Sequence, residues 1–396
     1  MDSSPGITTW GRAGLLVTAA TAAANLLAYL PPLLATRRLS PADLGALATA
    51  LALVAIATMP GVGLQTAVAV ATARSGVPVG ASRLARLTAL ACGGALLLGT
   101  PLLSAVLRLP LGLPPLLAAM TVPAVLAGRP LGLFQGAERF GRLAAGTVVL
   151  AVGRYAGVVI GLAAGFGLIG SFALGALVAW SVPLLLRWLA PPRGDGSAGV
   201  LRGRAVLAAA SASMAILVAS YADLILARRL LPAGESGAYA VGAVLTRAAI
   251  WAPQVVTILA LPRLARGGAA FFVGLKLLFG AGLVLFAGTV LTGGFLVGVI
   301  GGGRYAALAG LAPYFVLLGA VYAITVFLVN ARIADGARWP AAGVWTAAIG
   351  LVVLVLVVRP ETVPELLVCA TGAAVLSAVS TAAAWWARWS SFISAQ

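Results

Sequence analysis

A chain of 396 residues holds 26 Lys and Arg against 9 Asp and Glu, a formal charge of +17, yet only 9% of its residues are charged and 62% are apolar. A nucleic-acid binder of such basicity concentrates its cations on a charge-rich surface; here they lie scattered between apolar runs, and a mean hydropathy of +1.09 makes lipid the main solvent. The absence of histidine, with Cys92 and Cys369 far apart inside apolar runs, argues against a metal centre or a structural disulfide, and no cofactor is expected.

The runs are continuous and rich in Ala, Leu and Val rather than alternating, which points away from a β-barrel and to an all-α polytopic membrane protein. Cut at charged or Gly/Pro-rich breaks, the chain gives twelve predicted spans: 13 to 36, 44 to 73, 87 to 107, 114 to 134, 143 to 165, 168 to 189, 205 to 227, 237 to 262, 270 to 292, 305 to 329, 340 to 358 and 364 to 387. The residues ahead of the first span lack the positive charge and cleavage site of a signal peptide, so that span reads as a retained anchor. On it, Asn25 and Tyr29 stand four residues apart and share a face, followed by Pro31-Pro32. Span 2 carries Pro60 and Gln65 and ends at Arg74; span 4 carries Arg129 before Pro130; span 5 carries Arg154 near its middle. Spans 5 and 6 meet at Gly165-Phe166-Gly167-Leu168-Ile169-Gly170, an uncharged turn. The longest connection, residues 191–204, is a basic linker that divides the chain into an N-terminal bundle, 1–190, and a C-terminal bundle, 205–396. Span 7 holds Asp223, span 8 holds Arg247 and Pro253, and span 9 holds Lys276, the sole lysine. Pro31, Pro32, Pro60 and Pro253 are expected hinges. Trp385, Trp386 and Trp389 read as an interfacial belt.

The midpoint also divides a repeat. Thr36-Arg37-Arg38-Leu39-Ser40-Pro41-Ala42-Asp43-Leu44-Gly45 after span 1 returns as Ala227-Arg228-Arg229-Leu230-Leu231-Pro232-Ala233-Gly234-Glu235-Ser236-Gly237 after span 7. Pro60 has Pro253 as its counterpart, and Arg74 has Arg263. An even number of spans separates the copies, so the halves share an orientation. The expected architecture is two six-helix bundles related by a pseudo-two-fold axis along the membrane normal. With both termini cytoplasmic, 15 of the 26 cations fall on the inner face and seven on the outer.

These residues resemble a known family. The first repeat copy, then Gly61-Val62-Gly63-Leu64-Gln65 and Ala73-Arg74, is similar to the opening of polysaccharide and O-antigen type flippases in the multidrug/oligosaccharidyl-lipid/polysaccharide (MOP) exporter superfamily. Phe134-Gln135-Gly136-Ala137-Glu138-Arg139-Phe140 resembles the end of that family's fourth helix. Asp223-Leu224-Ile225-Leu226-Ala227-Arg228-Arg229 with Gly237-Ala238-Tyr239 resembles the start of its second half, and Pro253 with Leu261-Pro262-Arg263-Leu264 the end of its eighth helix. The resemblance implies a V-shaped transporter with a central cavity, which moves a polyprenyl-diphosphate-linked oligosaccharide across the bacterial cytoplasmic membrane by alternating access.

A diphosphate headgroup is anionic and hydrated, so its passage calls for fixed positive charge in a cavity. The four cations that topology does not explain are Arg129, Arg154, Arg247 and Lys276. Arg154 and Arg247 lie near mid-membrane and are the expected diphosphate ligands, with Asn25, Tyr29 and Gln65 lining the same cavity. Arg129 and Lys276 are weaker candidates, near enough to a span end to snorkel. Asp223 has two readings: a proton or sodium site that couples transport to a gradient, or a structural partner of an arginine on span 7 or 8. A drug/cation antiporter of the same superfamily would need an acidic cavity, which nine acids, mostly in loops, do not supply. A membrane glycosyltransferase or polymerase would need acidic or His groups on a large external loop, and the chain has neither; an enzyme is not expected. A non-transporting scaffold for polysaccharide assembly is the remaining alternative. Expected partners are the lipid-linked substrate, membrane lipids and neighbouring polymerase or glycosyltransferases, with no nucleic acid.

Overall fold

A computed structural model describes residues 7–107, 109–189, 199–266, 270–301 and 303–393. Its backbone is almost wholly helical, as it must be where no water is available to bond free N–H and C=O groups. The first half contains α1 (Ile7–Arg38), α2 (Pro41–Ala57), α3 (Met59–Ser75), α4 (Ala81–Leu98), α5 (Thr100–Leu107), α6 (Leu113–Leu126), α7 (Gly128–Gly136), α8 (Phe140–Ala163), α9 (Gly167–Ala179) and α10 (Ser181–Leu189). The second contains α11 (Gly203–Leu230), α12 (Ala233–Trp251), α13 (Gln254–Arg266), α14 (Ala270–Gly301), a 3-10 turn (Gly303–Leu311), α15 (Ala312–Ala334), α16 (Ala342–Val358) and α17 (Val363–Ile393). Among the described residues, eleven helical stretches are apolar and long enough to cross a bilayer, and α16, with 17 residues, makes a twelfth. The chain is a multi-pass, all-α membrane protein.

Prolines explain why twelve spans become more helical pieces. α2 and α3 meet at Thr58, two residues before Pro60, and Thr58 Oγ1 returns a hydrogen bond of 2.8 Å to the Val54 carbonyl. Equivalent breaks fall at Gly99 before Pro101, Ala127 before Pro130, Trp180 before Pro183 and Ala252 before Pro253. Each proline lacks an N–H and collides with the carbonyl four residues back. The expected hinges at Pro60 and Pro253 are therefore breaks, whereas Pro31 and Pro32 lie inside an unbroken α1. The Gly165 turn also forms as expected, with φ of +78° at Gly165 and +66° at Gly167, a backbone that favours glycine. At span 9 the structure differs from expectation: the helix does not stop at 292 but runs to Gly301. The helix there is held by its neighbours, since Gly293 lies against Ala309 and Ala312.

The repeat occupies equivalent places. Arg37-Arg38 close α1 and Arg228-Arg229 lie at the end of α11. Ser40 caps α2, accepting from Asp43 N at 3.2 Å while its hydroxyl donates to Asp43 Oδ2 at 2.9 Å. The second copy has Pro232 at that position, and Glu235 acts elsewhere: its Oε2 accepts from Val363 N at 3.0 Å, satisfying an orphan donor in the first turn of α17.

The chain separates into two compact units, Met1–Ser213 and Met214–Gln396. Of the expected basic linker, residues 191–198 lie outside the described residues. From Gly199 onward the chain is tied rather than free: Val79 N donates to the Gly199 carbonyl at 2.9 Å and Leu201 N donates to the Val79 carbonyl at 3.0 Å. The first unit is assembled on glycine seams. Along α7, a Cβ at Gly128, Gly132 or Gly136 would stand 2.4–2.5 Å from the carbonyl oxygens of Gly61, Gln65 and Ala69 on α3. Along α8, Gly153, Gly157 and Gly161 face Val182, Gly175 and Ser171 in the antiparallel sense. In lipid, helices gain little from hiding apolar surface, and close backbone contact of this kind supplies dispersion instead.

Of the expected tryptophan belt, Trp385 instead stacks on Phe271 with ring centres 3.8 Å apart and planes 5° from parallel. Trp386 is exposed, and the side chain of Trp389 lies outside the described ones.

Candidate functional site

The second unit gathers one carboxylate, one guanidinium and three phenols from α11, α12 and α15. Asp223, near the C-terminal end of α11, is 2% exposed. A carboxylate at that depth needs donors. It accepts 2.9 Å from the hydroxyl of Tyr239 on α12, and its Oδ1 lies 2.8 Å from Leu224 N. Tyr239 is fully buried and meets Phe315 edge-on at 5.2 Å. Tyr322, on α15, donates 3.0 Å to the carbonyl of Ala219, one turn before Asp223 on α11.

Arg247 lies on α12 roughly two turns beyond Tyr239, about 20 Å along a span that starts at Gly234. Its guanidinium carbon sits 4.1 Å from the ring centre of Tyr221 on α11, a cation–π distance. The charges of Arg247 and Asp223 act on each other, but the carboxylate's hydrogen-bond partner on a neighbouring helix is Tyr239 rather than an arginine. Two Arg247 nitrogens, Nε and Nη2, are buried without a hydrogen-bond partner. The helix that carries Arg247 is fixed in place: Thr246 Oγ1 donates to the Phe315 carbonyl at 2.9 Å, and Gly319 admits the Thr246 carbonyl where a Cβ would stand 2.3 Å away. An unfilled guanidinium on a rigid support is suited to receive an anion.

The other expected residues are dispersed. In the first unit, Arg154 is half-buried midway along α8, with its guanidinium carbon 5.5 Å from the Tyr155 ring centre. Asn25 is half-buried on α1, and Tyr29, one turn on, is 63% exposed. Gln65 donates from Nε2 to Gln135 Oε1 at 3.1 Å, inside the α3–α7 seam. Arg129 is half-buried at the start of α7. In the second unit Lys276 is exposed on the first turns of α14.

Sequence reasoning missed Tyr221, Tyr239 as a partner of Asp223, Tyr322 and Gln135 as a partner of Gln65. The available signal was chemical: a phenol or carboxamide inside an apolar span has to find a partner, and the chain has only seven tyrosines to examine.

No protein-family model and no curated protein matches the sequence. Solved structures do match in fold. A multidrug resistance MATE family transporter of the MOP superfamily, in an outward-facing conformation, is similar over 97% of both chains at 15% identity, with a TM-score of 0.73. The MATE transporter ClbM in complex with Rb+ is similar over 94% of this chain and 93% of its own at 15% identity, TM-score 0.71. A MOP superfamily transporter from Pyrococcus furiosus Vc1, described by a binding pocket of reversed polarity that suggests a different function, is similar over 94% and 93% at 13% identity, TM-score 0.65. The chain thus has the fold of the MOP superfamily. Within it, the neighbours named MATE share about twelve membrane helices with this protein.

Proposed function

We propose that this protein is a transporter working by alternating access, and that its cargo is anionic: a polyprenyl-diphosphate-linked oligosaccharide carried across the bacterial cytoplasmic membrane, with both termini on the cytoplasmic side. The observation that carries this reading is Arg247, a mid-membrane cation with two buried nitrogens lacking acceptors. A charge at that depth is costly unless a partner arrives, and phosphate oxygens match a guanidinium's forked donors. Arg154 supplies a second mid-membrane cation, and Asn25 and Tyr29 are the polar groups assigned to the sugar. Arg129 and Lys276 sit near span ends and meet lipid headgroups. Asp223, engaged by Tyr239 and near Arg247, is the group assigned to proton or sodium coupling. Lipid-linked cargo would bring polymerase and glycosyltransferase partners to the same membrane.

The MATE neighbours favour a second reading, a drug/cation antiporter. A cationic drug calls for an acidic cavity, and among the described residues Asp223 is the one buried acid. The neighbour with a pocket of reversed polarity shows that the fold also accompanies other pocket chemistry. The purified chain in liposomes separates the two: movement of a fluorescent prenyl-diphosphate-linked sugar, lost in Arg247→Ala, is expected. Gradient-driven uptake of a cationic dye with no movement of the glycan lipid would establish the antiporter instead.

A further inference from the structure

Ser377 on α17 is 2% exposed, and its hydroxyl has no hydrogen-bond partner. A serine or threonine in a membrane helix ordinarily returns its hydroxyl to the carbonyl one turn back, as Thr371 does to Leu367 at 2.7 Å. Ser377 instead lines a cavity of about 10 Å³ bounded by α11, α15, α16 and α17, together with Tyr322 and apolar Ala347, Leu351 and Ala373. Tyr322 is 5% exposed and has committed its one proton to the Ala219 carbonyl, so its oxygen can only accept. The cavity therefore offers one donor and one acceptor in a space at the lower bound for a single water.

We propose that this cavity binds one water molecule, which accepts from Ser377 Oγ and donates to Tyr322 Oη. The water ties α17 to α15 and, through the Ala219 carbonyl, to α11 one turn from Asp223. An empty cavity would leave the Ser377 hydroxyl desolvated and unpaired, which costs more than holding an ordered water. A monovalent cation is a poorer occupant, because two neutral hydroxyls, one already pointing its proton at a carbonyl, supply too few oxygen ligands. The proposal is independent of what the protein transports.

Two measurements test it. A density map of the full chain at a resolution that shows waters should contain one peak within hydrogen-bond distance of both hydroxyls. An empty cavity, or anomalous signal there after rubidium is added, overturns the proposal. The second measurement is a cycle of apparent melting temperatures for Ser377→Ala, Tyr322→Phe and the double variant. Ser377→Ala alone should lower melting by about 2–4 °C and should cause no further loss once Tyr322 is Phe, because that change has already released the water and left the Ser377 hydroxyl unpaired. Additive losses would show that the two hydroxyls are not coupled.

Discussion

The α3–α7 seam makes a sharp prediction about Gly132. An added Cβ would lie 2.5 Å from the Gln65 carbonyl oxygen, 2.8 Å from Val68 Cβ and 3.0 Å from Val68 Cγ1. Two of these neighbours are rooted in the α3 backbone, so relief requires the helices to separate. Overpacking of this sort costs about 1–3 kcal/mol. Replacing glycine by alanine inside a helix also carries an intrinsic gain of about 1 kcal/mol, which a control must remove. Gly94 provides it, since it lies inside α4 with nothing within 4 Å of its would-be Cβ. Apparent melting temperature in detergent, followed by intrinsic tryptophan fluorescence, should therefore rise or hold for Gly94→Ala and fall for Gly132→Ala. The difference between the two variants should be about 2–12 °C at roughly 2–4 °C per kcal/mol. If Gly132→Ala melts with Gly94→Ala, the close backbone contact is not what holds α3 to α7.

Other outcomes follow from single contacts. Tyr239→Phe removes the phenol that donates to buried Asp223 and should destabilise the protein by about 1–3 kcal/mol; Asp223→Asn combined with it should recover part of the loss, as read by melting. Gln135→Leu strands the Gln65 amide and should lower melting, with Gln65→Leu/Gln135→Leu less affected than either single change; unchanged melting with lost transport would instead return Gln65 to the transport path. Glu235→Ala removes the acceptor for Val363 N at a cost of about 0.5–2 kcal/mol, visible as faster amide exchange at the start of α17. Arg154→Ala and Arg247→Ala should each impair movement of a prenyl-diphosphate-linked sugar at unchanged membrane abundance, and normal movement in both would remove the anionic-cargo reading.

Much of the fold could be read in the chain because proline and charge punctuate it. Pro60 and Pro253 marked real breaks, and Arg37-Arg38 and Arg228-Arg229 marked equivalent helix ends. The rotation of each helix about its axis could not be read. In a soluble helix the apolar stripe reports which side is buried, but here lipid-facing and protein-facing positions are equally apolar. Leu291 is 85% exposed and Val297 fully buried on one continuous apolar helix. Asn25 and Tyr29 could thus be put on one face without knowing which way that face points. The meeting of Asp223 with Tyr239 and of Ala219 with Tyr322 depends on those rotations. Gln65 was visible as a polar residue in a span, but its partner Gln135 lies 70 residues away, a pairing that no local pattern announces. Glycine's abundance suggested close packing in general; the register of Gly128, Gly132 and Gly136 on α3 required coordinates.

That register also sets what the first unit can do mechanically. Gly128 opens α7 immediately after the break at Ala127, and its contact, Gly61, lies just beyond the break at Thr58. The two discontinuities therefore stand at one level, with the seam beginning on the same side of both. Flexing one chain there without the other would shear three consecutive glycine contacts, so α3 and α7 behave as one stiff blade with a common fulcrum.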